Sequence, residues 1–104
     1  YVTGCELHDA SNYQGNLTVS GNLTICGTNA TAKEVTLSGA GNIKPSGSET
    51  LTVNKLVVEA GAAHAEQLAV DTTVKESIVL YGGAVLTVAG ELNLEDGDTV
   101  TIEF

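Results

Sequence analysis

Few side chains in this sequence have the types and the spacing that chemistry requires. His8 precedes Asp9, and His64 lies two residues before Glu66. A histidine beside a carboxylate is a pairing that hydrolases and metal sites use. Neither pair belongs to an HxH, HExxH or CxxC motif. Isolated loop histidines are mostly surface residues, so the sequence predicts that the chain is not an enzyme.

A calcium site is the second chemical possibility. Glu95, Asp96 and Asp98 supply the hard carboxylate oxygens that Ca²⁺ prefers. The EF-hand pattern and the Gly-Gly-x-Gly-x-Asp repeat are both absent, so we interpret these residues as a solvated acidic turn. We therefore expect no metal and no other cofactor.

The charge balance excludes two classes of partner. The net charge is -9, and the only basic residues are four lysines. Nucleic acids and anionic membrane surfaces are bound by clustered cations, which this chain lacks. No apolar run is long enough for a membrane helix. We expect neither nucleic-acid binding nor membrane insertion.

Two features place the chain outside the cell. Cys5 and Cys26 form an even pair, which predicts one disulfide. Its loop would stabilise the fold by about 3 kcal/mol, and the alternative is a pair of reduced, buried cysteines. Three glycosylation sequons follow one another: Asn16-Leu-Thr, Asn22-Leu-Thr and Asn29-Ala-Thr. We predict a glycan on at least one, and the alternative is that all three are plain polar turn residues.

The first residue fits the same location. The sequence begins at Tyr1 without an initiator Met, which we interpret as the start of an excised segment or the residue left by signal-peptide removal. We expect an extracellular or cell-surface protein.

The elements that must position these residues are short strands. The motif LTVSGNLTI at 17–25 returns as LTVNKLVV at 51–58 and as LTVAGELNL at 86–94. The starts lie 34 and 35 residues apart, and single apolar-x-apolar triplets between them reduce the repeat to about 17 residues. Val and Thr suit a pleated, half-buried surface, and the intervening glycines suit turns. This periodicity is typical of chains that stack short β segments.

We therefore predict a single all-β domain over residues 1–104. Residues 1–14 are a lead-in segment tied down by the disulfide, and residues 15–104 hold the repeats. The favoured architecture is a short β-solenoid with a repeat of about 17, or of 34–35, residues. The alternative is a β-sandwich, because strands that recur every 8 to 12 or so residues also suit antiparallel pairing.

The triplets also predict which side chains face the core. In each LTV triplet the Leu and the Val point inward and the Thr points outward. The inward residues are then Leu17, Val19, Leu51, Val53, Leu86 and Val88. The outward series is Thr18, Thr36, Thr52, Thr87 and Thr101, interrupted by Ala69. A Thr column on a flat face can bind ice, which makes an ice-binding protein a minor alternative function.

The L-T-V-x-G-x-L-x-L texture at 17–25 and 86–94 resembles the β-helical passenger regions of bacterial surface adhesins and autotransporters. The resemblance covers most of residues 15–104 and implies an elongated, extracellular, non-enzymatic surface module. This chain departs from that pattern in its shortness, its cysteine pair and its clustered sequons. In these three features the chain resembles glycosylated subunits of extracellular filaments.

The function that we predict from the sequence is structural. We expect a subunit of an extracellular filament, stalk or coat, whose partner is another copy of itself joined by strand pairing. The alternative is an adhesin or ligand-binding module of a larger surface protein. The joining element is either the lead-in segment or the terminal strand, whose residues are Thr99, Val100, Thr101, Ile102, Glu103 and Phe104.

Overall fold

The computed structural model describes residues 7–8, 15–26, 29–94 and 101–103, which form strands and turns and no helix. Val, Ile and Thr dominate the strands because branched side chains pack well on a pleated surface. The nine strands are β1 (Leu7–His8), β2 (Asn16–Val19), β3 (Asn22–Cys26), β4 (Ala30–Leu37), β5 (Asn42–Pro45), β6 (Thr50–Val58), β7 (Asp71–Leu80), β8 (Leu92–Leu94) and β9 (Thr101–Glu103).

All the described strand pairs are parallel. The larger sheet has the order β2-β4-β6-β7-β8, with β9 also paired to β7, and the smaller sheet has the order β1-β3-β5. Two parallel bridges, from Ile43 to Leu68 and from Leu68 to Val88, continue the smaller sheet. A chain whose successive turns pair in parallel is a β-solenoid, whereas sandwich strands pair antiparallel. The predicted all-β solenoid is confirmed.

The length of a turn can be measured along one column of stacked residues. Successive Cα partners in this column are Leu17, Val35, Leu56, Ile78 and Ile102. They are separated by 18, 21, 22 and 24 residues, so the column spans four turns. The first turn is close to the predicted repeat of about 17 residues, and the later turns are longer than it. Leu51 pairs with Ala30 and Thr72, not with a residue of the first LTV triplet.

Each long strand bends in its middle. In β4, Ala32 and Val35 are buried while the two residues between them, Lys33 and Glu34, are not. A straight strand buries alternate residues, so a spacing of three marks a bend. The strand β6 bends at the same level, where its register with β7 shifts.

Because the bends are aligned, each turn of the coil has three sides. Side 1 contains β2, residues 35–37, 56–58 and 78–80, and β9. Side 2 contains β1, β3, β5 and residues 68 and 88. Side 3 contains residues 30–32, 51–53 and 72–74, and β8. Three of the four lysines stand at the corner between sides 3 and 1: Lys33, Lys55 and Lys75.

Aliphatic side chains from all three sides fill the interior of the coil. Residues with no exposed surface include Ile25, Val35, Leu37, Ile43, Leu51, Val53, Leu56, Leu68 and Val74. Burying one such side chain stabilises the fold by about 1.5–3 kcal/mol relative to leaving it exposed. The middle turns are therefore a stable frame for the loops and edges described below.

The predicted inward pattern is correct in the middle of the coil and fails at its end. Val19, Leu51 and Val53 are buried, as predicted. Leu17 and Leu86 are only partly buried and pack against the core from its ends. Val88 is 36% exposed, so its predicted burial is wrong. In the described part of the chain, Val88 pairs on side 2 with Leu68 alone, and no later turn covers its other side.

The predicted outward Thr series does not form one column. Thr18 pairs with Thr36, whereas Thr52 pairs with Thr31 and Thr73 on a different side. Thr87 does not point outward, because its hydroxyl and amide bond to groups of the preceding turn. The idea of a single Thr face is therefore wrong, because the bends displace the triplets from one another.

The loops between sides 1 and 2 depend on glycine. The turn after β4 requires Gly41, because a Cβ at this position would overlap the carbonyl oxygen of Val19. The turn after β7 uses Gly82 and Gly83, both with positive φ, where side chains are strained. Residues 59–66 form turns and no helix.

Candidate functional site

The two histidine–carboxylate pairs do not form a catalytic or metal site in the described residues. His64 lies in the loop 59–66, where its Nδ1 accepts a hydrogen bond from the backbone N–H of Glu66 at 3.0 Å. The imidazole therefore orders its own turn. No group of three His, Cys, Asp or Glu side chains in the described residues could hold a metal ion. The side chain of His8 and the acidic turn at 95–98 lie outside the described residues.

An open groove lies between two successive loops at the corner from side 1 to side 2. It has a volume of about 340 Å³, and its lining residues are Gly61, Ala62, Ala63, His64, Gly83, Ala84, Val85 and Thr87. Beside this groove the chain exposes large apolar side chains, since Tyr81 is 51% and Val85 is 64% exposed. The sequence alone did not predict this groove, although the runs of Gly and Ala in these segments indicate closely stacked backbone.

Behind the groove is a buried polar network that the sequence analysis also missed. The Thr87 N–H donates to Gln67 Oε1 at 2.7 Å, and the Gln67 N–H donates to Thr87 Oγ1 at 2.9 Å. The Thr87 hydroxyl then donates to the His64 carbonyl oxygen at 2.7 Å. These bonds fasten the last turn to the turn before it. Gln67 is fully buried, and its Nε2 has no hydrogen-bond partner in the described structure.

The same position on side 2 is polar in every turn. Asn22 pairs with Asn42, and Asn42 Nδ2 donates to Asn22 Oδ1 at 2.7 Å. The bridges that join Ile43, Leu68 and Val88 place Gln67 and Thr87 next in line. A usable signal was present in the sequence, since a polar residue precedes the apolar one each time: NL, NI, QL and TV.

All three predicted glycosylation residues are exposed and lie in the first described turn. Asn22 Oδ1 accepts the bond from Asn42, and Asn29 Oδ1 accepts a bond from the Thr50 N–H at 2.9 Å. Both bonds use the amide oxygen and tie the first turn to the second. Asp71 lies two turns further along the same corner as Asn29, and its Oδ1 likewise accepts a hydrogen bond from a backbone N–H of the next turn, that of Glu91, at 2.9 Å. The structure thus gives Asn22 and Asn29 a role at the corners, while their glycosylation stays a prediction.

The cysteine prediction is only partly within the described chain. Cys26 ends β3, is 4% exposed and is not a free thiol. Cys5 lies outside the described residues, so its pairing with Cys26 stays a prediction.

The coil ends in two strand edges that differ from each other. Among the described strands, β2 pairs only with β4, while β8 and β9 pair only with β7. We call the side of β2 that faces away from β4 the head edge, and the sides of β8 and β9 that face away from β7 the tail edge. Part of the predicted joining strand, Thr101–Glu103, is β9 and belongs to the tail edge. Thr99, Val100 and Phe104 lie outside the described residues.

The two ends also differ in charge. The segment 15–32 has no charged residue, and residues 1–14, which include β1, contain two carboxylates, Glu6 and Asp9. The last turn is acidic, because residues 91–104 contain five carboxylates and no lysine. A contact between two tails would therefore bring more like charges together than a contact between a tail and a head.

Comparison with known proteins assigns no family, because no family model, no curated protein and no solved structure matches the chain. The class that the fold defines is the parallel β-solenoid. No described residue belongs to a helix that is long and apolar enough to cross a membrane.

Proposed function

We propose that this chain is a structural protein of the cell surface or extracellular space. It is a building unit of a filament, stalk or coat, and its partner is another copy of itself. The units join by backbone pairing of strands at the ends of the coil.

The observation that carries this proposal is that, among the described strands, β2 at one end and β8 and β9 at the other each pair with one strand only. A strand edge presents a row of unpaired N–H and C=O groups, and these groups pair with another strand unless something blocks them. Monomeric proteins block such edges with lysine, proline or a covering element. The described strands β2, β8 and β9 contain neither lysine nor proline.

The packing at the ends supports the same proposal. Leu17 at one end and Leu92 and Leu94 at the other are only partly buried. The residues stacked in line with them in the middle turns are buried. An added turn at either end would cover these side chains. The sequons and the cysteine pair support an extracellular location, with glycans attached at asparagine.

The test is the oligomeric state of the purified chain at rising salt and protein concentration. We expect elongated particles in sedimentation velocity and in electron micrographs, and more of them in salt, because salt screens the acidic ends. Deleting residues 99–104 should remove these particles and leave a soluble, β-rich subunit by circular dichroism. A full-length chain that stays monomeric under all conditions would exclude the assembly function.

The groove favours a second candidate function, an adhesin or ligand-binding module. Its apolar wall, with Val85 64% exposed beside Tyr81 at 51%, is the kind of surface that contacts ligands. Under this alternative the chain is monomeric, and Val85→Ser removes ligand binding without changing the oligomeric state. Under the assembly proposal the same substitution leaves particle formation unchanged.

A further inference from the structure

We infer that neighbouring copies join by exchanging their last turn, which we define as residues 84–94 together with β9. In the joined state β8 and β9 of one copy pair with β7 of another copy and replace that copy's own strands. A copy whose last turn has left for one neighbour accepts the last turn of a third copy, so the exchange builds an open chain of copies. This inference rests on the proposed assembly function and names the strands that are given and the strand that accepts them.

The accepting surface is the side of β7 that faces away from β6. On this side residues 72–74 pair with β8 and residues 77–79 pair with β9. Val74 and Ile78, which lie within these two stretches, are buried core residues. If the last turn moves away, their side chains and the backbone groups of β7 meet water, and the last turn of another copy removes this cost.

The last turn buries less apolar surface than the turns before it. Its strands β8 and β9 have three residues each, whereas β6 has nine and β7 has ten. Leu86, Leu92 and Leu94 are only partly buried, and Val88 is 36% exposed. The free energy of local opening falls with the number of buried apolar contacts, so the last turn is the part of the coil that detaches at the lowest cost.

A glycine hinge connects the last turn to β7. Residues 81–84 form a tight turn in which the Ala84 N–H donates to the carbonyl oxygen of Tyr81 at 2.8 Å. Gly82 and Gly83, at its centre, have φ angles of 52° and 79°. Glycine adopts extended backbone angles as readily as these, so rotation at the two glycines opens the turn with the loss of one backbone hydrogen bond.

The polar network of Gln67 and Thr87 fixes the register in which a last turn is accepted. Gln67 is fully buried, and both its backbone N–H and its Oε1 bond to Thr87. A buried polar group that loses its partner is costly. The last turn of another copy restores these bonds only when its Thr87 lies where the copy's own Thr87 was.

A designed disulfide tests the inference, because Thr52, Thr73 and Asn93 are successive Cα partners in one column of side 3. Partners on adjacent strands are close enough for a disulfide. T73C/N93C, oxidised as a dilute monomer, ties the last turn to its own β7 and should form no particles when it is concentrated in salt. The matched control is T52C/T73C, which ties β6 to β7 one turn further inside and should assemble like the unmodified chain.

The same two proteins give a direct readout when they are assembled in the reduced state and then oxidised. T73C/N93C should give a ladder of covalent multimers on a non-reducing denaturing gel, because each disulfide joins two copies. T52C/T73C should give covalent monomers only.

The outcomes separate the exchange from the proposed function. Covalent monomers alone from assembled T73C/N93C would overturn the exchange and leave the assembly function standing. Particles from the locked T73C/N93C protein equal to those from T52C/T73C would do the same. An unmodified chain that forms no particles would overturn both.

A hinge substitution is a second test, and it needs no added cysteine. Gly83→Ala places a Cβ at a φ of 79°, which should favour the open hinge by about fivefold or more and raise the fraction of chain in particles by a similar factor at low concentration. Gly61→Ala is the matched control, since its φ is 83° and an added Cβ meets no atom within 4 Å at either glycine, but Gly61 lies before β7 and outside the hinge. Equal particle fractions in the two variants would contradict the hinge.

Discussion

The triplets at 51–53 and 86–88 have the same sequence, LTV, and different structures. Leu51 and Val53 are fully buried in side 3. Leu86 is half-buried, Val88 is 36% exposed, and Thr87 bonds back to Gln67 in the preceding turn. Identical local sequence therefore does not decide burial in this coil.

The difference follows from the number of turns that cover each triplet. Leu51 has a paired neighbour on both sides, Ala30 and Thr72. Val88 has one paired neighbour, Leu68, within the described residues. In a stacked coil each turn completes the core of its neighbours, so a triplet at an end cannot bury what a triplet in the middle buries.

The largest expected effect is truncation of Leu51. Leu51→Ala should lower the free energy of unfolding by about 2–5 kcal/mol, because it opens a cavity in a packed column. Leu86→Ala should cost about 1 kcal/mol or less, since the half-buried side chain loses fewer contacts. Urea unfolding followed by circular dichroism measures both.

The control for this comparison is Thr52→Ala, the outward residue beside Leu51. It should cost under about 1 kcal/mol. Equal losses at Leu51 and Thr52 would contradict the assigned faces of side 3, and equal losses at Leu51 and Leu86 would contradict the difference between middle and end.

The next effect concerns the backbone contact between β2 and the turn after β4. Gly41→Ala should destabilise the fold by about 1–3 kcal/mol, because the added Cβ overlaps the carbonyl oxygen of Val19. Gly21→Ala is the matched control, since a Cβ there meets no atom within 4 Å, and it should be close to neutral. The midpoints of thermal unfolding of the two variants are the measurement, and similar midpoints would disprove the close approach at Gly41.

An effect of similar size is expected from the polar network of Gln67 and Thr87. Thr87→Val leaves buried Gln67 without its hydroxyl partner and should cost about 1–3 kcal/mol. Thr52→Val is the control, because it makes the same replacement at an outward position of a middle strand. It should be near neutral, since Val suits a strand as well as Thr does. If both variants unfold at the same urea concentration, the network does not fasten the last turn.

Much of the fold could be predicted from sequence, because strand identity depends on local alternation. The LTV triplets at 17–19 and 51–53 both lie in strands, β2 and β6. The turn length was not predictable in the same way. It depends on loops of unequal length, from Ser20-Gly21 to the segment 59–66, and nothing in the triplets measures those loops.

The polar contacts across turns were not predicted, because they join residues about 20 positions apart. Gln67 to Thr87 and Asn22 to Asn42 are each 20 residues apart, and a repeat of 17 or 34–35 does not align them. The sequons present a different problem, because the structure offers a second explanation for a pattern that the sequence attributes to glycosylation. A corner residue, an inward residue and an outward Thr produce the N-x-T pattern at Asn29, just as they produce TLT at 50–52.

The smallest expected effect separates these two origins of the Asn29 sequon. Asn29 Oδ1 accepts from the Thr50 N–H, so Asn29→Ala should cost about 0.5–1.5 kcal/mol. Asn29→Asp keeps an acceptor oxygen there and should be nearly neutral at neutral pH.

A glycan attached at Nδ2 leaves the same oxygen in place, so glycosylation and the corner bond are compatible. When the chain is secreted from a glycosylating eukaryotic host, intact-mass measurement should show a glycan that Thr31→Ala and Asn29→Asp each remove. An unmodified mass at all three sequons would mean that these asparagines serve the coil alone. A glycan together with full stability of Asn29→Ala would mean that the sequon at Asn29 is unrelated to the corner.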